Sequence, residues 1–252
     1  MRNLLFALFA VFILTTSYVD KKEKSGADTT KTLISPTSEK DSVSRKSEVA
    51  EISISQNLYN KIDFSSGTTL KFDVFEKAFL GFNNLKKARK IDEKTKLLTV
   101  CDFSLSSNIK RLWVINTETG EILFNTLVAH GKNTGEEFAV NFSNTESSLQ
   151  SSLGFYVTDV TYHGENGYSL KLLGVDKGYN DNALQRAVVM HGADYVSDEF
   201  AKKHKRIGRS WGCPAVPRAL AESIINTIKG KNVLFIYYPE ENYLTSSQWL
   251  KS

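Results

Sequence analysis

Gly154-Phe155-Tyr156-Val157-Thr158-Asp159-Val160-Thr161-Tyr162 is followed, after His163-Gly164-Glu165-Asn166, by Gly167-Tyr168-Ser169-Leu170-Lys171-Leu172-Leu173. β-branched and aromatic residues fill both runs, and Asn166-Gly167 stands between them, the strongest short signal for a hairpin. Outward from this pair the same grammar repeats. Leu112 to Asn116 and Ile122 to Ala129 flank the turn Thr117-Glu118-Thr119-Gly120. Leu97 to Phe103, Ala187 to Met190 and Val233 to Tyr238 are short apolar runs of strand length. Helical spacing occurs in three places. Phe72, Phe75, Phe79, Phe82 and Leu85 recur every three or four residues within 71–90, and Lys86, Lys87, Arg89 and Lys90 load that helix's C-terminal end. A helix is expected over 194–204, and another over 217–229 with Pro217 near its start and Gly230 just past its end. Many strands with few helices predict a mainly β (α+β) domain, a sandwich or a barrel.

The chain of 252 residues suits one main domain plus a small appendage. Its 24% charged residues are mixed in sign and sum to only +4, with no basic block interleaved with aromatics, so a nucleic-acid partner is not expected. At the N-terminus, Met1-Arg2-Asn3 precedes an unbroken apolar run from Leu4 to Leu14, and Thr15, Thr16 and Ser17 follow. This is the build of a secretory signal over 1–19; an uncleaved anchor tethering the chain to a membrane is the alternative, although the run is shorter than the ~20 residues a span needs. Either reading predicts an exported protein of the periplasm or cell envelope. Residues 20–55, rich in Ser, Thr, Lys and Glu, are too polar to bury a core and read as a linker. A helical segment over 56–94, the main domain over 95–240 and a tail over 241–252 complete the expected organisation.

Two separated pieces carry chemistry: His191-Gly192-Ala193 at the end of an apolar strand, and Arg209-Ser210-Trp211-Gly212-Cys213-Pro214. A thiol that transfers acyl groups needs a nearby base, an accessible position and N–H groups aimed at the developing oxyanion. Pro214 biases Cys213 toward an extended backbone, and Gly212 permits a tight turn and close substrate approach. Arg209 and the helix start near Pro217 add the positive potential that favours thiolate. His191 is the candidate base.

These residues resemble the catalytic motif of the L,D-transpeptidases, the YkuD-type fold, in its murein L,D-transpeptidase catalytic-domain branch. The resemblance runs through Val128-Ala129-His130-Gly131-Lys132, Ser152-Leu153-Gly154-Phe155-Tyr156 and His191-Gly192-Ala193-Asp194-Tyr195-Val196 to Ser210-Trp211-Gly212-Cys213-Pro214, within residues 95–240. It implies a YkuD-like sandwich or barrel acting on peptidoglycan tetrapeptide stems, without cofactor or metal, as a monomer. It implies Cys213 as nucleophile, His191 as base and the Gly192 carbonyl as the group that orients the base. The oxyanion hole maps to the N–H groups of Trp211, Gly212 and Cys213, and substrate contacts to Arg209, Ser210, His130 and Tyr156. An amine acceptor would give a 3→3 cross-link; water would make the enzyme an L,D-carboxypeptidase. Two positions depart from the usual motif: Trp211 replaces a histidine, and Ala215 stands where an arginine is usual, with Arg218 as the possible substitute.

Other readings of the same residues stay open at this level. Cys213 could pair with Cys101 in a disulfide, as an oxidising compartment permits. His130 also ends an apolar strand before a glycine and competes with His191 as base. Cys213, His191, His130 and Asp194 could ligate zinc, though no close ligand spacing supports it. Trp211 could be a core aromatic or a cleft wall, while His163 and His204 read as solvated. A module that binds the envelope polymer without catalysis is the alternative function.

Overall fold

The computed structural model describes residues 53–251. The signal or anchor expected over 1–19, and the linker expected over 20–55 except for its last three residues, lie outside that range. Those three residues are already helical: α1 spans 53–59, with Ser55 and Leu58 buried. The helix forms because Tyr59 anchors it, meeting Phe64, Phe72 and Phe75 at ring-centroid distances of 5.2–5.5 Å. Helix α2, Phe72–Lys87, turns Val74, Phe75, Ala78, Phe79, Phe82 and Leu85 inward. It ends where Arg89 adopts φ +56°, while the Lys90 N–H reaches the Leu85 carbonyl and the Arg89 N–H that of Lys86, a Schellman cap. The α2 helix lies very close to the sheet: a Cβ on Gly81 would stand 2.0 Å from the Phe155 ring, so only glycine fits there.

Eight strands form one mixed sheet: β1 (Leu97–Asp102), β2 (Leu112–Asn116), β3 (Ile122–Thr126), β4 (Gly154–Gly164), β5 (Gly167–Gly174), β6 (Val189–Ala193), β7 (Ala215–Pro217) and β8 (Val233–Tyr237). Their order is β3-β2-β1-β8-β4-β5-β6-β7, with β1–β8 and β6–β7 parallel and the other neighbours antiparallel. Strand β8 is buried along its whole length, as its unbroken apolar run requires of a central strand. The two edges of the sheet then approach each other. Beyond β3, the Ala129 N–H donates to the Ala215 carbonyl of β7 at 2.8 Å, and Gly131 bridges Ser210. The result is a nearly closed, barrel-like sheet, as the strand-rich sequence predicts.

In the β4–β5 hairpin, Glu165 and Asn166 form the turn and Gly164 pairs with Gly167. Neither turn residue has positive φ; Gly167 does, at +81°. The Asn-Gly pair therefore serves as the end of a turn closed by a left-handed glycine, rather than as the two central residues of a primed turn. Helix α3, Asp198–His204, is capped by the Ser197 hydroxyl accepting from the Phe200 N–H. Helix α4, Arg218–Ile228, buries Ala221, Ile224, Ile225 and Ile228 on one face. It lies close over β6 because Gly192 has no side chain: a Cβ there would be 2.8 Å from the Ala221 Cβ.

The tail expected over 241–252 is instead part of the folded body. Helix α5, Glu241–Ser246, and a 3-10 turn, Gln248–Leu250, pack against α2 and the sheet. The Tyr243 hydroxyl and Ser247 hydroxyl donate to buried Asp176, which also accepts from the Phe155 N–H at 2.7 Å. Trp249 is buried and its indole N–H donates to the Val175 carbonyl at 2.9 Å. Low hydropathy hid this segment, because the two hydroxyls it sends to one distant carboxylate leave no apolar period. Trp249→Ala should therefore destabilise the fold by about 3–5 kcal/mol, read as a lowered urea midpoint; an unchanged midpoint would show the segment to be peripheral.

Candidate active site

The segment Arg209–Pro214 runs from the sheet-closing bridge at Ser210 into β7. Ser210 is its hub. The Ser210 N–H donates to the His130 carbonyl at 3.0 Å, and the Ser210 hydroxyl donates to the Cys213 carbonyl at 2.6 Å and accepts from the Gly212 N–H at 3.0 Å. This hydroxyl closes a tight loop in which Gly212 takes φ +125°, with its Cα facing the Gln150 carbonyl so closely that a Cβ would meet it at 2.7 Å. Glycine is required there twice over, by backbone angle and by space. From below, the Ser151 hydroxyl donates to the Gly212 carbonyl at 3.2 Å.

Cys213 emerges from this loop as a free, half-buried thiol. The Val189 N–H points at its sulfur at 3.4 Å, and the Ala187 carbonyl lies 3.7 Å away as acceptor for the S–H. Burial raises the thiol above its ordinary value, while the Val189 N–H and the Arg186 charge pull it down. His191 sits on β6, in register with Ala215 of β7. Register thus sets Val189 and His191 on one face of β6, the face that meets Cys213 just before Ala215. The His191 Nδ1 is 3.1 Å from the Gly192 carbonyl. An Nδ1–H donated there leaves Nε2 as the lone-pair nitrogen. Burial lowers the His191 value, the Gly192 carbonyl acts against that, and Arg218 adds to it.

Cys213 and His191 line the same cleft, of about 610 Å³. Tyr195, Arg186, Arg209 and Trp211 form further walls, and the β4–β5 hairpin contributes Tyr162, Glu165 and Asn166. Trp211 is 79% exposed, which decides between the two readings of it: it is a cleft wall, not core. Among the described residues, the Trp211 and Cys213 N–H groups have no hydrogen-bond partner, whereas the Gly212 N–H is taken by Ser210. Of the three N–H groups expected to act as an oxyanion hole, the Gly212 N–H is thus already bonded and two remain unpartnered.

Other expected site residues move. His130 is buried and lines no part of the cleft: Arg111 donates to its Nδ1 at 2.7 Å, and its Nε2–H faces the Gly135 and Glu136 carbonyls. Burial, with the Arg111 charge beside it, holds its imidazole down to about 3. It is neither a substrate contact nor a rival base; it struts the segment whose carbonyl holds Ser210. Tyr156 is fully buried and donates to the Ser152 carbonyl at 3.0 Å, so it too cannot touch a ligand in the cleft. Its motif position marks a packing role that sequence could not separate from binding. Ser210 faces inward as described and shapes the loop. Arg209 lines the cleft but is ion-paired to Glu136 at 2.7 Å, and Arg218 is paired to Asp194 at 2.6 Å. Cys101 is a buried free thiol in β1, pushed up to about 12 by burial, so the disulfide alternative is excluded. Among the described residues, no group of three His, Cys, Asp or Glu is placed to hold a metal. Arg186 and the Ala187 carbonyl were not legible beforehand, since no motif or period marks them.

The burial of His130 carries a pH consequence. Its folded value lies far below the ordinary 6.5, so between about pH 6.5 and about 3 the unfolded chain binds the proton and the folded chain does not. Stability is then lost as pH falls through that window. Buried Asp102 and Asp176 are raised by desolvation and act in the opposite sense. The difference between chains isolates the histidine: His130→Gln, whose amide oxygen can accept from Arg111, should flatten the fall in melting temperature between pH 7 and 4.5. An identical slope in both chains would refute this assignment.

Residues 66–237 match the family model for the L,D-transpeptidase catalytic domain. The match begins within the helical preface, ahead of the 95–240 span that the motifs mark. No functionally curated protein matches the sequence. Similar solved structures include an L,D-transpeptidase from Mycobacterium smegmatis, with 12% identity, TM-score 0.35, and 57% of this chain and 59% of that chain covered. Another is the helical cell shape determining protein Pgp2 from Campylobacter jejuni, with 15% identity, TM-score 0.37, and 66% and 56% covered. A mutant of the Enterococcus faecium L,D-transpeptidase shows 12% identity, TM-score 0.33, and 56% and 50% covered. The chain thus spans little more than half the length of these structures. The family model, by contrast, takes in well over half of this chain, and on that match the protein belongs to the L,D-transpeptidase catalytic-domain family.

Proposed function

We propose that this protein is a peptidoglycan L,D-transpeptidase in which Cys213 is the acyl-carrying nucleophile and His191 its general base. The observation that carries the reading is the cleft itself: a free thiol and an imidazole line one cavity, the imidazole with Nδ1 tied to the Gly192 carbonyl and Nε2 open. A backbone carbonyl fixes the tautomer, so no carboxylate is needed behind the histidine.

In the first half-reaction Nε2 takes the Sγ proton as sulfur attacks the carbonyl at the L-centre of the diamino acid in a tetrapeptide stem. The developing oxyanion falls toward the unpartnered Trp211 and Cys213 N–H groups. The tetrahedral intermediate collapses, the C–N bond breaks, and the imidazolium returns the proton to the leaving D-Ala amine. A thioester remains. In the second half an amine of another stem gives its proton to His191 and attacks the thioester, forming a 3→3 amide and releasing the thiol. Water in place of that amine gives L,D-carboxypeptidase activity. The substrate polymer lies outside the cytoplasm, so we place the protein in the periplasm or cell envelope. Among the described residues, no helix is long and apolar enough to cross a membrane.

Purified protein incubated with disaccharide-tetrapeptides should release D-Ala and form 3→3 dimers, and Cys213→Ala should abolish both. His191→Gln should lower kcat/KM by about 10²–10⁴-fold. Turnover by Cys213→Ala at the wild-type rate would overturn the proposal; binding without turnover in the wild type would favour a non-catalytic envelope-binding module.

A further inference from the structure

The cleft holds three charged walls, Glu165, Arg186 and Arg209. Arg209 is neutralised by Glu136. Arg186 has no carboxylate partner among the described residues. Its guanidinium is nevertheless fully engaged at both Nη atoms. Nη1 donates to the Ser143 carbonyl at 2.7 Å and to the Ser152 hydroxyl; Nη2 donates to the Gln150 carbonyl at 2.7 Å and the Ser148 hydroxyl at 3.1 Å. The 148–152 segment is the floor of the Cys213 loop, because the Gln150 carbonyl abuts Gly212 and the Ser151 hydroxyl bonds its carbonyl. Nη2 itself lies 3.4 Å from where a Gly212 Cβ would stand.

The placement of Arg186 is built into the backbone. The Val188 N–H reaches the Ala183 carbonyl at 2.9 Å and the Ala187 N–H reaches that of Leu184 at 3.1 Å. This Schellman-type closure puts Ala187 at φ +54°, a conformation usually left to glycine. The strained turn brings the Ala187 carbonyl to 3.7 Å from the Cys213 sulfur and sets Arg186 in the same cleft, against the neighbouring Gly212.

We propose that Arg186 is the positioning residue for the Cys213 thiolate: it clamps the floor of the nucleophile loop through neutral acceptors and so leaves its positive charge uncompensated beside the sulfur. The proposal rests on the reading of Cys213 as nucleophile. With both Nη atoms spent on the protein, Arg186 acts on the sulfur through its field and not by holding a substrate carboxylate. Its charge opposes the desolvation that disfavours thiolate in this cleft, as the directions of both effects agree. The other titratable groups lining the cleft with Cys213 are the His191 imidazole, the Tyr162 and Tyr195 phenols, the paired Arg209, and Glu165 at the hairpin tip. Only Arg186 is a cation without a counter-charge among them.

The test is the pH dependence of Cys213 alkylation by iodoacetamide in wild type, Arg186→Gln, Arg186→Leu and Arg186→Lys, with melting temperatures alongside. Cys101 is buried and contributes no background. In the neutral variants the thiol's apparent pKa should rise by about one unit or more, and kcat/KM for stem peptides should fall at least about tenfold. Arg186→Lys should keep the thiol near its wild-type value yet lose part of kcat, because an ammonium cannot reproduce the fork that clamps 148–152. An unmoved thiol titration in a folded neutral variant would overturn the proposal. Failure of both neutral variants to fold would also overturn it, by showing the residue to be architectural. Activity of Cys213→Ala bears only on the nucleophile assignment and leaves this titration readable, so the two failures are distinct.

Discussion

The hydrogen bond from the Ala129 N–H to the Ala215 carbonyl ties the segment beyond β3 to β7, the opposite edge of the sheet. The position of Cys213 depends on that closure. Ala215 follows Cys213 by two residues, and His130, beside Ala129, offers the carbonyl that holds the Ser210 N–H. Ser210 in turn fixes both Gly212 and Cys213. The buried Arg111–His130 pair lies behind this chain of contacts, with the guanidinium stacked over Phe103 at 4.7 Å. A charged group so buried costs several kcal/mol unless its donors are satisfied. Here they meet the Val128 and Leu105 carbonyls and a neutral imidazole. That accounting explains why the histidine at 130 is structural, and why it must stay unprotonated.

Electrostatics in the cleft balance two opposed effects. Desolvation disfavours the charged forms of both groups: it pushes the Cys213 thiol up and the His191 imidazole down. Against desolvation, the Val189 N–H, aimed at the sulfur from β6, is a fixed dipole that pulls the thiol's value down.

The reach of sequence reasoning followed the physics of each element. Strands with alternating or continuous apolar runs, such as β2 and β8, were legible because burial alone specifies them. The three-residue β7 was not, since its pairing is dictated by His191, Gly192 and Ala193 rather than by its own pattern. In the site, the motif residues Cys213 and His191 could be named, and Ser210 and Gly192 could be noticed. What the motif could not tell was which of its members face inward. His130 and Tyr156 belong to the same run of resembling sequence yet are buried struts, and the Ser210 hydroxyl occupies one of the three N–H groups expected to be open. Arg186 carried no signal because its contacts are to backbone carbonyls and serine hydroxyls scattered over 143–152, and Ala187 none because it acts through its backbone carbonyl. The C-terminal segment was hard to read for a related reason: two widely spaced aromatics, Tyr243 and Trp249, and hydroxyl bonds to the distant Asp176 hold it, with no apolar period between them.

The most direct test of the account is capture of the acyl group. Protein mixed briefly with a tetrapeptide stem and quenched in acid should gain the mass of the stem less D-Ala. Peptide mapping should place that mass on Cys213 as a hydroxylamine-labile thioester. Turnover with the acyl group on another residue, or with no covalent intermediate at any time point, would contradict the account.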